Sequence, residues 1–347
     1  MDIVIYPLAF LFSAGIAFVL VRGIIRLCHR FAFYDYPGSH KSHKNPTPNL
    51  GGVAIFLAVW SIIGISLLAR IETIVDIRGN LTYIFAASLL LLLTGIIDDL
   101  KSLSAWPKLL IQIIAGLVLY FGGLSIKIVS IPGTGSVELG NLSMIITVLW
   151  VVSLTNAVNL IDGLDGLAAG VSIIAAISMT IIGTLFHIGS VIFISLTLAG
   201  ALLAFWIHNR YPAKIFLGDC GSLLIGFFFA VISLIVPIKS FTVAALLLPL
   251  VVLAVPLTEI ATSFFRRLAS GKNVMQADHR HIFHYLEQIG LSQRKIVNLF
   301  YLMGTFFGLI SVGMFFIERS FALTILLLFM VVIFAIYLIF ISKILKG

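Results

Sequence analysis

The chain has 347 residues, of which 61% are hydrophobic and only 10% are charged, and its formal net charge is +8. Soluble domains carry about 25% charged residues, so the composition excludes a soluble enzyme and predicts an integral membrane protein. The two cysteines, Cys28 and Cys220, do not suggest a disulfide framework.

Eleven apolar stretches are long enough to predict membrane-spanning helices, because about 20 residues cross a bilayer core. No basic segment precedes the first stretch, so it is predicted as a true span and not as a cleavable signal. We therefore predict an all-α polytopic bundle that forms a single transmembrane domain over residues 1–347. In chain order, the predicted spans are 3–22, 51–69, 81–97, 107–124, 142–158, 167–186, 188–207, 222–237, 241–260, 297–317 and 321–342.

The basic residues are divided unequally between the two sides of the membrane. When successive loops are assigned to alternate sides, 17 of the 22 Lys and Arg residues fall on one side. The positive-inside rule makes that side cytoplasmic, with the N-terminus outside and the C-terminus in the cytoplasm. The larger cytoplasmic loops are then 23–50 and 261–296. On the outer side, residues 125–142 predict a short β-hairpin.

The first polar motif is the loop at residues 35–52, which contains Lys41 and His43. It lies on the predicted cytoplasmic side, as do all the polar motifs described below. Both side chains are suited to holding an anionic head group. The alternative is a basic anchor that touches lipid phosphates, and the sequence does not separate the two.

The second motif is the acidic pair Asp98 and Asp99, directly after the third predicted span. Adjacent like charges repel each other unless a cation or a proton lies between them. A divalent metal, or a base that takes a proton from a phosphate, would account for the pair. The alternative is a solvated helix end with Lys101 as a local partner.

The third motif is a ladder of amides and carboxylates at every third residue, in which neighbouring members share one side if the segment is helical. Its members are Asn156, Asn159, Asp162 and Asp165. Gly163 and Gly166 then allow unusual backbone geometry near a ligand. Oxygen ligands of this kind suit Mg²⁺, which also keeps waters and substrate phosphates. The alternative is a polar helix cap followed by a turn.

Two further motifs complete the set. Asp219, in the segment Phe-Leu-Gly-Asp-Cys-Gly-Ser at residues 216–222, is a candidate metal ligand or nucleophile, and an ordinary N-cap is the alternative. The loop at 261–296 contains arginines that suit phosphates and histidines that can donate to a phosphate or sugar. A histidine–metal site, or surface histidines without a role, are its alternatives. The residues concerned are Arg266, Arg267, His281 and His284.

In kind and order, these motifs resemble the polyprenyl-phosphate N-acetylhexosamine-1-phosphate transferases, from about residue 35 to residue 284. The resemblance implies a bacterial cytoplasmic-membrane enzyme that transfers a sugar-1-phosphate from a UDP-N-acetylhexosamine to undecaprenyl phosphate and releases UMP. It also implies Mg²⁺ as cofactor, with Mn²⁺ as a substitute. The expected partners are these substrates and membrane lipid, without nucleic acid, and a homodimer is compatible with the family.

The two loop motifs look like the branch that primes O-antigen, teichoic acid and related glycans with GlcNAc-1-phosphate. The sister branch, which transfers phospho-MurNAc-pentapeptide, typically has three consecutive histidines. Here Phe283 stands in place of the middle histidine, beside His284. The expected reaction is therefore GlcNAc-1-phosphate transfer, and the same chemistry with phospho-MurNAc-pentapeptide or another N-acetylhexosamine is the alternative.

By this resemblance, Asp98, Asp99 and Asp219 are the expected catalytic residues, and the metal ligands are expected among Asn159, Asp162 and Asp219. The segment from Asn156 to Asp165 is expected to meet the nucleotide and the metal. Substrate binding is expected at Lys41, His43, Asn156, Asp162, Asp165, Arg266, Arg267, His281 and His284.

Two rival functions belong to other classes. A secondary transporter would place carboxylates near the bilayer midplane and would contain broken helices in symmetric halves. Here the acids cluster at one predicted face and no internal repeat is evident. UMP release from UDP-GlcNAc would separate an enzyme from a transporter. A non-catalytic scaffold predicts that Asp219→Asn leaves activity in the cell unchanged.

Overall fold

The computed structural model describes residues 2–36, 45–131, 135–239, 286–287, 290–313 and 315–316. These residues form nine α-helices, a 3₁₀ helix (Glu72–Asn80) and two small hairpins. The helices are α1 (Asp2–Phe31), α2 (Gly51–Leu68), α3 (Leu81–Lys101), α4 (Ala105–Phe121), α5 (Leu142–Ile161), α6 (Leu167–Leu185), α7 (Gly189–Asn209), α8 (Asp219–Lys239) and α9 (Gln293–Gly313).

Eight of the described helices are long and apolar enough to cross a membrane, and α4 is a shorter apolar helix. This confirms a mostly helical, polytopic membrane protein. Nine of the predicted spans correspond to α1 to α9. The other two, 241–260 and 321–342, lie outside the described residues, so the total of eleven and the orientation of the termini stay predictions.

The helix boundaries depart from the hydropathy pattern in two places. Helix α1 continues to Phe31, well beyond the predicted end of its span at residue 22. The hydropathy falls there because arginines begin, but Arg and Leu are good helix formers and do not end a helix. The segment Glu72–Asn80, predicted as loop, forms the 3₁₀ helix that leads into α3.

Helix α8 is the centre of the bundle. It packs against α2, α3, α5, α6 and α7. Nearly all of its residues are buried, including the consecutive phenylalanines Phe227, Phe228 and Phe229. A helix that is apolar on all sides is stable only when other helices surround it. The first turn of α8, which carries Asp219, therefore lies in the middle of one end of the bundle.

Two antiparallel hairpins join helices. Strands β1 (Tyr34–Asp35) and β2 (Thr47–Pro48) pair between α1 and α2. Strands β3 (Ile128–Ile131) and β4 (Gly135–Glu138) pair between α4 and α5, which confirms the hairpin predicted at 125–142. The residue after β2, Asn49, forms a parallel bridge with Phe216, and this contact brings the start of α2 to the start of α8.

Candidate active site

The amino end of α8 is built on Asp99, in the last turn of α3. The Asp99 carboxylate accepts hydrogen bonds from the backbone N–H groups of Asp219 (2.8 Å) and Cys220 (3.1 Å). The next two N–H groups of the helix donate to the carbonyl oxygen of Gly218, both at 3.0 Å. All four N–H groups of the first turn are thereby satisfied, two of them by the acidic side chain of Asp99.

Gly218 lets the backbone pass directly beside this carboxylate. Its φ is +73°, a conformation that favours glycine. A Cβ atom at this position would overlap the Asp99 carboxylate and would lie 2.7 Å from Asn49 Oδ1. The Asn49 side chain in turn donates from Nδ2 to Asp99 Oδ1 at 3.1 Å. The carboxylate of Asp99 thus accepts two backbone N–H groups at the start of α8 and one amide hydrogen of Asn49. The catalytic role predicted for Asp99 remains untested.

The start of α2 joins the start of α8 through backbone hydrogen bonds. The N–H of Gly51 donates to the carbonyl of Phe216, and the N–H of Gly52 donates to that of Leu217, both at 3.0 Å. A Cβ at Gly52 would overlap the α8 backbone at Gly221. The glycines at the end of the 35–52 motif thus allow close helix packing, a role that the sequence analysis did not assign to them.

Lys108, in the first turn of α4, links two of the predicted catalytic carboxylates. Its Nζ atom lies 3.0 Å from Asp98 Oδ2 and 3.0 Å from Asp219 Oδ2. The other Asp98 oxygen accepts the backbone N–H of Leu103 at 2.6 Å. The side chains of Lys108, Asp98 and Asp219 remain 26%, 11% and 25% exposed, so solvent and a ligand can reach all three.

The sequence analysis missed Lys108. The suggestion that Lys101 is the local partner of the acidic pair is wrong, because among the described residues the lysine that pairs with Asp98 is Lys108. The available signal was a single charged residue, Lys108, inside the predicted span 107–124. Such a charge at a membrane edge is costly and needs a partner.

The two aspartates of the pair face different groups. Asp98 points to Lys108, whereas Asp99 points to the backbone at the start of α8. Successive residues of an α-helix are rotated by about 100°, because one turn contains 3.6 residues. The pair is therefore not a single bidentate ligand, and each carboxylate has its own partners.

Asn159, near the end of α5, contacts the first turn of α8 from the opposite side. Its Nδ2 atom donates to Asp219 Oδ1 at 3.1 Å and to Ser222 Oγ at 2.9 Å. Both carboxylate oxygens of Asp219 are thus held, one by Asn159 and the other by Lys108. The structure brings Asp98, Asn159 and Asp219 to one place, as their predicted roles require.

Asn156 lies one turn deeper and does not contact these carboxylates. Its Nδ2 atom donates to Gln112 Oε1 on α4 at 2.5 Å, and Gln112 Nε2 donates back to Asn156 Oδ1 at 3.4 Å. Gln112 is only 2% exposed. This buried amide pair joins α4 to α5 one turn below Lys108, so it supports the site from beneath. The substrate contact predicted for Asn156 remains untested.

Asp162 follows the end of α5 and is not part of the helix. The expectation of a four-residue ladder on one side of a helix is correct only for Asn156 and Asn159, because α5 ends at Ile161. No described residue donates a hydrogen bond to the Asp162 carboxylate. Surrounding protein desolvates this carboxyl, and the negative charge of Asp219 lies near it, so its pKa is raised well above the usual range. Such a group is suited to a positively charged ligand.

Asp165 holds the turn between α5 and α6 in place. Its Oδ2 atom accepts the backbone N–H of Ala213 at 3.0 Å. The next residue, Gly166, has a φ of +79°, and its N–H donates to Asn209 Oδ1 at 3.0 Å. Both contacts attach the turn to the end of α7 and the segment that follows it. Asp165 thus has a structural contact with the backbone of Ala213. The substrate contact predicted for Asp165 remains untested.

The remaining predicted site residues lie outside the described residues. Their predicted contacts with a head group, phosphate or sugar therefore stay predictions. They are Lys41, His43, Arg266, Arg267, His281 and His284.

The donor atoms of the site fit Mg²⁺ better than a metal that prefers nitrogen or sulfur. Asp98 and Asp219 each place an oxygen 3.0 Å from one cation, the Lys108 ammonium. The described part of the chain contains no group of three or more Asp, Glu, His or Cys side chains close enough to hold a metal. Mg²⁺ is usually bound by one or two carboxylates together with substrate phosphates, so it does not require such a group. Mg²⁺ as cofactor stays a prediction.

The sequence of this chain matches one family model and several known proteins. The sequence model of Glycosyl transferase family 4 matches residues 81–237, a range that contains Asp98, Asp99, Asn159 and Asp219. The probable undecaprenyl-phosphate N-acetylglucosaminyl 1-phosphate transferase of Bacillus subtilis (strain 168) is 34% identical over 307 residues. The alignment covers 88% of this chain and 83% of that protein.

Two further relatives carry different names. The decaprenyl-phosphate N-acetylglucosaminephosphotransferase of Mycolicibacterium smegmatis is 36% identical over 326 residues, which cover 87% of this chain and 79% of that protein. The phospho-N-acetylmuramoyl-pentapeptide-transferase of Shouchella clausii is 32% identical over 292 residues, which cover 80% of this chain and 85% of that protein.

Proposed function

This chain belongs to glycosyl transferase family 4, and from that premise we propose that it transfers GlcNAc-1-phosphate from UDP-GlcNAc to undecaprenyl phosphate. The products are UMP and undecaprenyl-diphosphate-GlcNAc, and the reaction primes a cell-envelope glycan. Two relatives named for GlcNAc-phosphate transfer support GlcNAc as the sugar. They are more identical to this chain, and cover more of it, than the Shouchella clausii relative named for phospho-N-acetylmuramoyl-pentapeptide transfer. The single observation that carries the proposal is the Lys108 ammonium held between Asp98 and Asp219.

The reaction is one in-line displacement at phosphorus. An oxygen of the lipid phosphate attacks the β-phosphorus of UDP-GlcNAc. The bond from this phosphorus to the bridging oxygen breaks, and that oxygen leaves on UMP with the bonding electrons. Such a transfer needs mainly positioning and charge stabilisation. Lys108 supplies a compact positive charge for the phosphates, and the lysine is exposed enough to meet them.

Asp219, with Asn159 or Asp162, is the proposed ligand set for Mg²⁺. When bound, the ion would neutralise the pyrophosphate and stabilise the leaving UMP, with Mn²⁺ as a substitute. Asn159 fixes one oxygen of Asp219, and Asp162 is a carboxylate near Asp219 to which no described residue donates. Asn159 and Lys108 thus hold Asp219 in place before the substrates arrive.

Asp98 acts mainly by holding Lys108 in position. A phosphate monoester has a second pKa of about 6 and is already mostly ionised near neutral pH, so a base contributes little. The one-step route is favoured over a covalent route through Asp219, because both oxygens of Asp219 accept hydrogen bonds that stabilise its charge. A trapped aspartyl-phosphate at Asp219 would overturn the one-step route.

The alternative sugar keeps the same chemistry. The Shouchella clausii relative is named for phospho-N-acetylmuramoyl-pentapeptide transfer, and its alignment covers 80% of this chain. The same carboxylates and lysine would serve that donor, because they act on phosphates and not on the sugar. The choice between the donors therefore depends on residues other than Lys108, Asp98 and Asp219.

Release of UMP from a panel of UDP-sugars tests the function. Purified protein in detergent receives undecaprenyl phosphate, Mg²⁺ and one UDP-sugar at a time. We expect UMP and the lipid product with UDP-GlcNAc, loss of both after chelation, and recovery with Mg²⁺ or Mn²⁺. Turnover with UDP-MurNAc-pentapeptide alone would overturn the sugar assignment. Uptake of UDP-GlcNAc into vesicles without UMP release would overturn the proposed enzymatic function and favour a transporter.

A further inference from the structure

One tyrosine hydroxyl joins three helices at the turn that carries Asp162. Tyr301, on α9, donates its hydroxyl hydrogen to the carbonyl oxygen of Gly166 at 2.6 Å. The same hydroxyl accepts the indole N–H of Trp206, on α7, at 2.8 Å. Gly166 directly precedes α6, so α6, α7 and α9 meet at this oxygen. Tyr301 lies outside the range 81–237 that matches the family.

Two glycines provide the space into which the hydroxyl fits. A Cβ atom at Gly170, in the first turn of α6, would overlap the hydroxyl and ring of Tyr301. A Cβ at Gly166 would lie 3.3 Å from the same hydroxyl, at a φ of +79°. The tyrosine hydroxyl therefore packs directly against the backbone of Gly170, and any larger residue at that position would displace it.

The position of Asp162 depends on the backbone of this turn. No described residue donates to its carboxylate, so within the described part of the chain the backbone of the turn is what places this side chain. The turn is instead attached at Asp165, which accepts from Ala213, and at Gly166, which donates to Asn209. A third hydrogen bond, from the Tyr301 hydroxyl to the carbonyl oxygen of Gly166, also holds the turn. Without the Tyr301 hydroxyl, the one described donor left to the carbonyl oxygen of Gly166 is the N–H of Gly170, inside α6.

We propose that Tyr301 is a positioning residue that fixes the turn Asp162–Gly166 and thereby orients Asp162 toward the UDP-sugar. The inference rests on the proposed function in placing the donor at Asp162. Tyr301 contacts no reacting atom and acts only through the carbonyl of Gly166. The last described helix thus contributes to donor binding, although none of the acidic motifs lies on it.

Two variants and one matched control test the turn itself by backbone hydrogen exchange. Tyr301→Phe removes the hydroxyl and keeps the ring, and Gly170→Ala displaces the intact tyrosine. Tyr120→Phe, on α4, is the control, because no described residue shares a hydrogen bond with its hydroxyl. In Tyr301→Phe and Gly170→Ala, we expect the backbone amides of residues 162–170 to exchange hydrogen about threefold to tenfold faster than in the wild type, which is the effect of one lost hydrogen bond. The control should exchange like the wild type. Unchanged exchange in Tyr301→Phe and Gly170→Ala would overturn the proposal.

Kinetics on the same proteins separate positioning from simple packing. We expect the KM for UDP-GlcNAc to rise about threefold to tenfold in both variants, with the KM for undecaprenyl phosphate unchanged. Faster exchange with an unchanged donor KM would show a packing role only and would overturn the inference. If wild-type protein releases no UMP from any donor, the proposed function fails, while the exchange result still decides whether Tyr301 fixes the turn.

Discussion

The start of α8 and the turn between α5 and α6 each present one aspartate to the same site, but they are constructed differently. The start of α8 is joined to α2 by backbone hydrogen bonds, such as that from Gly51 to Phe216. Its glycines allow contacts that no Cβ would permit. The α5–α6 turn is instead attached by side-chain atoms of Asp165, Asn209 and Tyr301.

The difference predicts how each region responds to substitution. A backbone contact between helices depends on the absence of a side chain, so even a methyl group forces the helices apart. A turn held by side chains loses one hydrogen bond at a time, and each contributes about 0.5–1.5 kcal/mol. Substitution of the glycines at the start of α8 should therefore affect folding and activity together. Changes in the α5–α6 turn should lower activity in smaller steps.

The largest effect is expected for Gly218→Ala. Its φ of +73° disfavours alanine, and the methyl group would overlap the Asp99 carboxylate. A non-glycine residue in this conformation costs about 1–3 kcal/mol even without the overlap. We also expect UMP release to fall at least about 100-fold, because Asp219 is displaced. A thiol-reactive dye measures thermal unfolding, since Cys28 and Cys220 are both buried.

Gly64→Ala is the matched control, because nothing lies within 4 Å of a Cβ at that position inside α2. Alanine is favoured over glycine in a helix interior, so this variant should be as stable as wild type or more so. If Gly218→Ala melts at the same temperature as Gly64→Ala and keeps its activity, the start of α8 does not depend on the close backbone contacts described above.

The next effect is expected for Lys108→Met, which removes the positive charge between Asp98 and Asp219. Loss of one charge-stabilising group lowers kcat about 100- to 1,000-fold in comparable sites. The melting temperature should fall as well, because Asp98 and Asp219 would lose the cation that lies between them. Lys101→Met, at the end of α3, is the control and should retain activity. Equal activity in both variants would remove Lys108 from the mechanism.

Asp98→Asn and Asp99→Asn should separate activity from stability within one acidic pair. Asp99 accepts N–H groups at the start of α8, and an amide nitrogen cannot accept them, so we expect a stability loss of about 1.5–3 kcal/mol. Asp98 pairs with Lys108, so its variant should lose activity with a smaller loss of stability. Dye melting and UMP release are measured on the same samples. Equal stability losses would contradict the division of roles.

Much of this site was predictable from the sequence, because charges at membrane edges are few and each one is informative. Asp98, Asn159 and Asp219 were predicted to meet, and the structure places them together. The helical spacing of Asn156 and Asn159 was also predictable. Their continuation to Asp162 was not, since the pattern does not show that α5 ends at Ile161.

The partners of these residues could not be predicted, because the sequence does not show which helices are neighbours. Lys108 reaches Asp219 across 111 positions of the chain, and Asn49 reaches Asp99 across 50. Both contacts depend on how closely α2, α3, α4 and α8 pack. That packing depends on glycines such as Gly52, whose function becomes visible only when the facing backbone is known.

The smallest effect is expected for Asp165→Asn, at the turn held by side chains. Asparagine keeps an oxygen that can accept the N–H of Ala213, so UMP release should fall only about twofold to fivefold, within the value of one hydrogen bond. Asp165→Ala removes the acceptor, so UMP release should fall further and the Gly166 amide should exchange hydrogen faster. A loss of about 100-fold in Asp165→Asn would instead mean that the charge of Asp165 acts on the metal or the substrate. The α5–α6 turn would then be as sensitive to substitution as the start of α8, and the contrast between the two regions would disappear.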